Sequence, residues 1–306
     1  MHLSVSRRPS WQRRDTGLTV RMLLSFGILA LLYIVFLSAL VYVGLDFISI
    51  TVVASIMILL QWYFSDKIVL WSSGAKIVTR DQYPQLHDVI ERIIARNNLP
   101  KPKIAVINTR MPNAFATGKG KRSSVVAVTT GLLDLLEPEE LEGVLAHELT
   151  HIRNRDVLVL TLASLFSTVA WYLMQFGFYG GMGYGYGYGG RDRNNAGALA
   201  IVVIVAMLTW VISFLIIRAI SRYREFSADR GSAQMTGKPA KLANALMKIS
   251  GNMQRIPTKD LRQAEGLNAF FIIPAMSGST IVNLFSTHPP VEKRIQRLME
   301  MEASMS

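Results

Sequence analysis

The chain has 306 residues, of which 50% are hydrophobic, a net charge of +12 and a mean hydropathy of +0.29. This hydropathy is high for a soluble protein and predicts membrane-spanning segments. The absence of cysteine excludes disulfide bonds, thiolate metal ligands and a cysteine nucleophile. The charge does not indicate nucleic-acid binding, because no basic stripe is interleaved with aromatic residues. The basic residues lie instead at the ends of apolar runs and in the cluster Lys119, Lys121 and Arg122, so we expect anionic lipid as their counterpart.

Four uncharged apolar runs are each long enough, or nearly so, for a membrane crossing, which takes roughly 20 residues. The first two runs predict a transmembrane hairpin over residues 22–64, preceded by a basic N-terminus at 1–21. The other two predict a second hairpin over residues 157–217. We expect this second hairpin to be transmembrane, although Gln175 and several serines and threonines would also suit a packed pair of helices. The four runs are 22–43, 47–64, 157–178 and 196–217.

The basic residues predict which side of the membrane each segment faces. Five arginines precede the first run, whereas the short loop to the second run contains none. Lysine and arginine stay on the cytoplasmic side. We therefore predict a multi-pass protein of the plasma membrane whose polar segments, 65–156 and 218–306, both face the cytoplasm.

Residues 65–156 have the pattern of a compact α+β domain. The stretch "YPQLHDVIERIIARNNLP" has apolar residues at helical spacing and ends at two asparagines before Pro100, with His87 predicted on the exposed face. Strands are predicted at 103–109 and 123–131, with a short third strand and a glycine-containing turn between them. These elements predict a small antiparallel sheet beside a helix. Its edge strand would either pair with an extended peptide or be purely structural.

The segment "VLAHELTHIRNRD" at 144–156 carries two histidines and a glutamate on a predicted helix. His147 and His151 are four residues apart and therefore share one helix face, where both can bind the same metal ion. Glu148 lies beside that ion, placed to accept a proton from water. This is the arrangement of zinc proteases, and Pro138 followed by acidic residues marks the start of the helix.

A catalytic zinc site normally has a third protein ligand. The extended motif with a third histidine is ruled out, because the chain has Asn154 and Val157 at the required positions. The stretch "SRYREFSADRGSAQ" instead offers Glu225 and Asp229, which share a helix face. We favour Glu225 as the ligand, with Asp229 bonded to a ligand histidine, over a solvated pair bonded to nearby arginines.

Two further segments are interpreted from their composition. In "FSTHPPVEKRIQRL", His288 precedes a predicted helix that carries Arg294. Either residue would stabilise the oxyanion of peptide hydrolysis, or would serve in helix capping and packing. The glycine- and tyrosine-rich tract at 179–195 is predicted to be a flexible connection between the last two apolar runs.

Taken together, these motifs resemble the HtpX family of membrane-embedded zinc metalloproteases. The resemblance covers nearly the whole chain and includes "NAFATG" at 113–118, "HELTHIRNRD" at 147–156, "REFSAD" at 224–229 and "STHPPVEKRI" at 286–295. It implies a gluzincin-like peptidase domain at the cytoplasmic face, with an active-site helix beside the small sheet. It also implies endopeptidase activity on misfolded or damaged membrane proteins in quality control.

Carried over motif by motif, the resemblance implies a set of site residues and one Zn²⁺ per chain. His147, His151 and Glu225 correspond to the zinc ligands, and Glu148 to the general base. Asn113 and Ala114 correspond to the substrate-binding edge strand. The expected partners are a protein substrate and the lipid membrane, without nucleic acid, and the oligomeric state is not predicted. A non-catalytic membrane scaffold or chaperone-like adaptor with a structural zinc is the alternative function.

Overall fold

The computed structural model describes residues 15–42, 47–183, 193–253 and 288–305. These residues form helices and one small sheet, which confirms the predicted α+β class. The elements are α1 (Thr16–Tyr42), α2 (Phe47–Ser72), β1 (Lys76–Ile77), α3 (Pro84–Asn97), β2 (Lys103–Ile107), β3 (Ala114–Thr117), β4 (Val125–Thr129), α4 (Thr130–Leu135), α5 (Pro138–Asn154), α6 (Asp156–Gly183), α7 (Arg193–Thr236), α8 (Pro239–Met253) and α9 (Val291–Ala303).

The chain divides into two compact units. One unit, here called the helical unit, comprises Arg21–Phe64 and Leu158–Ile220. The other, here called the sheet unit, comprises the described residues within Met1–Val20, Ser65–Val157 and Ser221–Ser306. All of the motif residues named above that lie in the described ranges belong to the sheet unit.

Three of the described helices are long and apolar enough to cross a membrane: Thr16–Tyr42, Asp156–Gln175 and Ala200–Thr236. The run at 47–64 lies in α2, where the described residues give only the shorter apolar segment Ser55–Phe64, so this crossing stays a prediction. Within the helical unit the Tyr33 hydroxyl donates a hydrogen bond of 2.6 Å to the Ala163 carbonyl, joining α1 to α6.

The predicted glycine- and tyrosine-rich connection is shorter than expected. Helix α6 continues to Gly183 and α7 begins at Arg193, so both ends of the tract 179–195 are helical. The prediction of a flexible connection is therefore wrong at these ends. The helix of the preceding apolar run continues through the first glycines, because glycine in a helix costs only about 1 kcal/mol per residue. Residues 184–192 lie outside the described part of the chain.

The four strands form one sheet in the order β1-β2-β4-β3. Strands β3 and β4 pair antiparallel as a hairpin, but β2 and β4 are parallel, with Lys103 opposite Val125 and Ile107 opposite Thr129. The expectation of a wholly antiparallel sheet is therefore wrong. The chain passes from β2 to the far edge, forms β3, and returns to place β4 in the centre, where all five of its residues are buried.

The sheet has helices on both faces. Alternate strand residues, such as Ile104 and Val126, join the main core with α3, α5 and α8, whereas Ala105 and Phe115 pack against the end of α2. His87 is 6% exposed, with its Nε2 atom 3.3 Å from the Val78 carbonyl oxygen, so its predicted surface position is wrong. The segment before α3 folds over this histidine, which the helical period alone does not show.

Helix α5 begins and ends at well-defined signals, as predicted. Glu137 and Glu140 form a reciprocal capping box at its start, and Lys248 lies 2.7 Å from the Glu140 carboxylate. The helix ends because Arg155 adopts a left-handed conformation, with φ of 58°. A new helix, α6, begins directly afterwards at Asp156. The break between the two helices brings the Asp156 carboxylate back toward His151 of α5.

Candidate metal centre

The two histidines of α5 point at a common position. His147 is 1% exposed, and its Nε2 atom lies 3.1 Å from Nε2 of His151. Spacing by four residues on an α-helix puts both rings on one face, one turn apart. Two neutral imidazole nitrogens that both act as acceptors cannot form a hydrogen bond with each other. Their close approach is favourable only when a proton or a cation lies between them.

Glu225 completes this group from α7, which lies 74 positions beyond His151 in the chain (225 minus 151). Its Oε2 atom is 3.5 Å from His147 Nε2, and its Oε1 atom is 3.4 Å from His151 Nε2. The three side chains each offer one ligand atom, all within 4.8 Å of one another, and Glu225 is only 6% exposed. The fold therefore brings together the three residues that the sequence proposed as ligands.

The donor set and its spacing fit a zinc ion. A tetrahedral site with bonds of about 2.0–2.2 Å has ligand atoms about 3.3–3.6 Å apart. The three measured separations of 3.1, 3.4 and 3.5 Å are close to that range. Two imidazoles and one carboxylate are also the ligand set of many catalytic zinc sites, which leave a fourth position for water or substrate.

Each histidine has a carboxylate behind it. His147 Nδ1 lies 3.0 Å from Asp229 Oδ1, and His151 Nδ1 lies 2.6 Å from Asp156 Oδ2. An Nδ1–H group that donates to a carboxylate leaves the Nε2 lone pair pointing inward. The pairing of Asp229 was predicted from the sequence, but that of Asp156 was not. Its only sequence signal is an acidic residue five positions after the second histidine.

Two residues of the C-terminal segment also contact carboxylates of this site: Arg294 contacts Asp229 and Glu225, and His288 contacts Glu225. Arg294, 1% exposed, donates to Asp229 through Nε at 2.9 Å and Nη2 at 2.7 Å, while its Nη1 lies 3.3 Å from Glu225 Oε2. Burial by itself lowers the pKa of the guanidinium, but Asp229 and Glu225 outweigh burial and raise it. Arg294 is therefore a permanent buried cation. His288 Nδ1 is 3.1 Å from Glu225 Oε2.

Glu148 is buried next to the histidines, with 4% of its surface exposed. Burial raises the pKa of its carboxyl above the ordinary value, while the charges of His147 and His151 act in the opposite direction. A carboxyl group with a raised pKa holds a proton more readily than one in water. Such a group suits the transfer of a proton between a water molecule and a leaving group.

The predicted substrate-binding residues lie at the start of β3. This strand is the terminal strand of the described sheet, and Ala114 pairs with Val128 of β4. Asn113 precedes the strand, and its backbone exchanges hydrogen bonds with Thr129: its N–H donates to Thr129 Oγ1 at 2.8 Å, and its carbonyl accepts from Thr129 N at 3.0 Å. Both residues are buried, so their backbones are held rigidly beside α5.

Comparison with known proteins defines the class to which this fold and site belong. The model of peptidase family M48 matches residues 80–302, which include α5, the whole of the sheet except β1, and all but the last residue of α9. The chain therefore belongs to peptidase family M48, a family of metalloproteases, and is a metal-dependent protein hydrolase.

Individual relatives place it more narrowly. The chain is 54% identical to Protease HtpX homolog 2 of Methanosarcina mazei, over 97% of this chain and 99% of that protein. It is also 54% identical to a Protease HtpX homolog of Moorella thermoacetica, over 95% of this chain and 96% of the relative. The crystal structure of S. mikatae Ste24p shares the fold, with a TM-score of 0.56 and 19% identity, over 92% of this chain and 65% of that one.

These findings confirm the resemblance to the HtpX family. With the three apolar helices, they make the protein a multi-pass membrane metalloprotease. Nothing in them supports the alternative of a non-catalytic adaptor.

Proposed function

We propose that the protein is a zinc-dependent endopeptidase with one zinc per chain, held by His147, His151 and Glu225. The observation that carries this proposal is the convergence of two Nε2 atoms and one carboxylate at mutual distances of 3.1–3.5 Å. Bound zinc supplies a Lewis acid that polarises the scissile carbonyl and lowers the pKa of a water molecule toward 7.

The chain's own residues supply proton transfer. Glu148 follows the first ligand histidine, accepts the proton of the attacking water and delivers it to the leaving amine. Its burial favours this second step, because a carboxyl group in a low-dielectric setting does not lose its proton to bulk solvent. Asp229 orients His147, so that the imidazole presents Nε2 to the metal throughout the cycle.

Arg294 and His288 have different geometries at the same site. All three Arg294 nitrogens lie within 3.3 Å of Asp229 or Glu225 oxygens, which supports a role in holding these carboxylates in place. His288 Nδ1 lies 3.1 Å from Glu225 Oε2. The stabilisation of the oxyanion is proposed for His288 or Arg294, both of which contact the carboxylate of Glu225.

The substrate is proposed to be an extended segment of a misfolded or damaged membrane protein. An extended peptide that adds to the edge of β3 would be bound through its main chain, independently of its sequence. Asn113 and Ala114 stand at the start of this strand, which lies beside the helix that carries Glu148. Such recognition suits quality control, where the common feature of substrates is unfolded backbone.

The proposed location is the cell membrane, with the active site in the cytoplasm. The segments are a basic N-terminus at 1–21, a transmembrane hairpin at 22–64, a first peptidase segment at 65–156, a second hairpin at 157–217 and a second peptidase segment at 218–306. The excess of arginine and lysine at the ends of the apolar runs supports this topology.

The proposal is tested on the full-length chain purified in detergent. Metal content is measured, and hydrolysis of an unfolded membrane protein is followed with and without a chelator. Glu148→Gln should retain zinc and lose roughly 10²–10⁴-fold in activity, because the amide cannot accept a proton. Glu142→Gln is the matched control, since this glutamate is on the same helix and lies near Arg96 instead. Near-normal hydrolysis by Glu148→Gln, free of contaminating protease, would show that Glu148 is not the general base. A parent protein that holds zinc and does not hydrolyse the substrate would favour the adaptor function.

A further inference from the structure

Asp156 and its partner Arg224 lie behind the second histidine and have no role in the mechanism described so far. We propose that they form a positioning pair that fixes His151 and Glu225 in the arrangement needed to bind the metal. This inference rests on the proposed zinc site and extends it to two residues outside the ligand set. Neither side chain would touch the metal or the substrate.

The first observation is the contact between Asp156 and His151. Oδ2 of Asp156 lies 2.6 Å from Nδ1 of the histidine, and the aspartate is 4% exposed. The left-handed Arg155 between α5 and α6 turns the chain so that the first residue of α6 faces back toward α5. A carboxylate in this place fixes the tautomer of the imidazole and raises its basicity as a ligand.

The second observation is the burial and contacts of Arg224. Its guanidinium is 6% exposed, forms an ion pair with Asp156, and donates from Nη2 to the Asn154 carbonyl at 3.2 Å. One side chain therefore joins the last turn of α5 and the first residue of α6 to α7. Because Arg224 directly precedes Glu225, this junction also sets the position of the third ligand.

The two histidines have equivalent supports. His147 Nδ1 lies 3.0 Å from Asp229, which pairs with Arg294, and His151 Nδ1 lies 2.6 Å from Asp156, which pairs with Arg224. A buried carboxylate without a cation is costly, whereas one paired with arginine is tolerated. The same arrangement therefore occurs twice: an aspartate orients each imidazole, and an arginine neutralises each aspartate.

The test is zinc affinity, measured by competition with a chromophoric chelator on the full-length chain in detergent. Asp156→Asn and Arg224→Gln are each expected to weaken zinc binding by roughly 10–100-fold. The double variant should be little weaker than the more affected single variant, because both changes break one junction. Arg224→Lys keeps a cation beside the aspartate and should recover part of the loss.

A matched control separates this role from general stability. Asp15 belongs to the same unit and is also paired with two arginines, at 3.3 Å from Arg230 and 3.0 Å from Arg297. Asp15→Asn should lower the melting temperature of the metal-free protein and leave zinc affinity unchanged. In Asp156→Asn, by contrast, the rise in melting temperature on adding zinc should shrink.

The outcomes are distinct. Zinc affinity within about threefold of the parent in both Asp156→Asn and Arg224→Gln would overturn the positioning pair while leaving the metal site intact. Additive losses in the double variant would show that the two residues act separately, which also overturns it. Absence of zinc binding by the parent would overturn the proposed function together with this inference. If Asp156→Asn does not fold, Arg224→Lys and Arg224→Gln decide the question alone.

Discussion

At Gly231, α7 approaches the HExxH helix α5 closely, and Gly231→Ala tests whether this contact sets the site. A Cβ atom at this position would lie 2.3 Å from Cγ2 and 2.5 Å from Oγ1 of Thr150. Carbon atoms in contact are normally about 3.5–4.0 Å apart. The helices would therefore have to separate by about 1 Å. Thr150 follows the proposed general base, Glu148, by two positions, and Gly231 follows Glu225 by six. The strain therefore acts on both segments that form the site.

The expected loss in the free energy of unfolding is the difference between two opposing contributions. Adding a methyl group to a well-packed core costs about 1–3 kcal/mol, and the three contacts below 3.0 Å, the third with Arg153 Nη2 at 2.9 Å, place this site at the upper end. Alanine is favoured over glycine within a helix by about 1 kcal/mol. The net loss is therefore about 2 kcal/mol, or ~4–8 °C in melting temperature for a unit of this size.

The threonine cannot easily move aside. Its hydroxyl donates to the Ala146 carbonyl at 2.8 Å, it is completely buried, and a β-branched residue in a helix has few rotamers. Thr150→Ala removes the two shortest of these contacts and leaves only the one with Arg153 Nη2, the end of a flexible side chain. The double variant Gly231→Ala/Thr150→Ala should therefore lose less free energy of unfolding than the sum of the losses in the two single variants.

The assay is thermal unfolding and zinc content of the purified protein in detergent. Gly251→Ala is the control, because this glycine is also helical, is exposed, and has nothing within 4 Å of its added Cβ. It should be neutral or slightly stabilising. We expect Gly231→Ala to lower both melting temperature and zinc occupancy. A Gly231→Ala protein as stable as Gly251→Ala, with full zinc, would refute the reasoning that this close approach holds the two helices in register.

Two further predictions concern topology and the third ligand. Cysteines introduced at Ser73 and Ser304 should be labelled from the same, cytoplasmic side of the membrane, and labelling from opposite sides would contradict the topology; the chain has no native cysteine to interfere. Glu225→Ala should lose zinc and hydrolysis, whereas Asp229→Ala should weaken zinc binding by roughly 10–100-fold and recover activity with excess zinc. Full zinc and activity in Glu225→Ala, together with loss of the metal in His288→Ala, would transfer the ligand role to that histidine.

Local signals were enough to predict the active-site helix. The proline and acidic residues at its start, the period of its apolar residues and the basic residues at its end all act within a few turns. The same applies to α3, which ends at Asn98 in a left-handed conformation before Pro100. The pairing of β2 with β4 was not predictable in this way. The direction of strand pairing depends on the path of the chain between the two strands. Parallel and antiparallel pairing of β2 with β4 would bury the same apolar residues, so the sequence pattern does not distinguish them.

Two residues show where prediction from one sequence reaches its limit. His87 lies on the polar face of α3 in the sequence pattern, yet it is buried because the segment around Val78 covers it. Asp156 has no motif of its own, and its role depends on the single left-handed residue before it. Both cases result from contacts between chain segments, which helical periodicity does not encode.

The charges of the buried site provide an independent reason why it suits a divalent cation. Four carboxylates lie within it, and two buried arginines accompany them, so that with neutral histidines the residues carry a formal charge of −2. A monovalent ion would leave one charge uncompensated in a setting where burial of charge is costly, whereas a divalent ion balances the set. Metal binding of this kind contributes to folding as well as to catalysis. Zinc is thus expected to raise the melting temperature of the parent. The carboxylates are Glu148, Asp156, Glu225 and Asp229, and the arginines are Arg224 and Arg294.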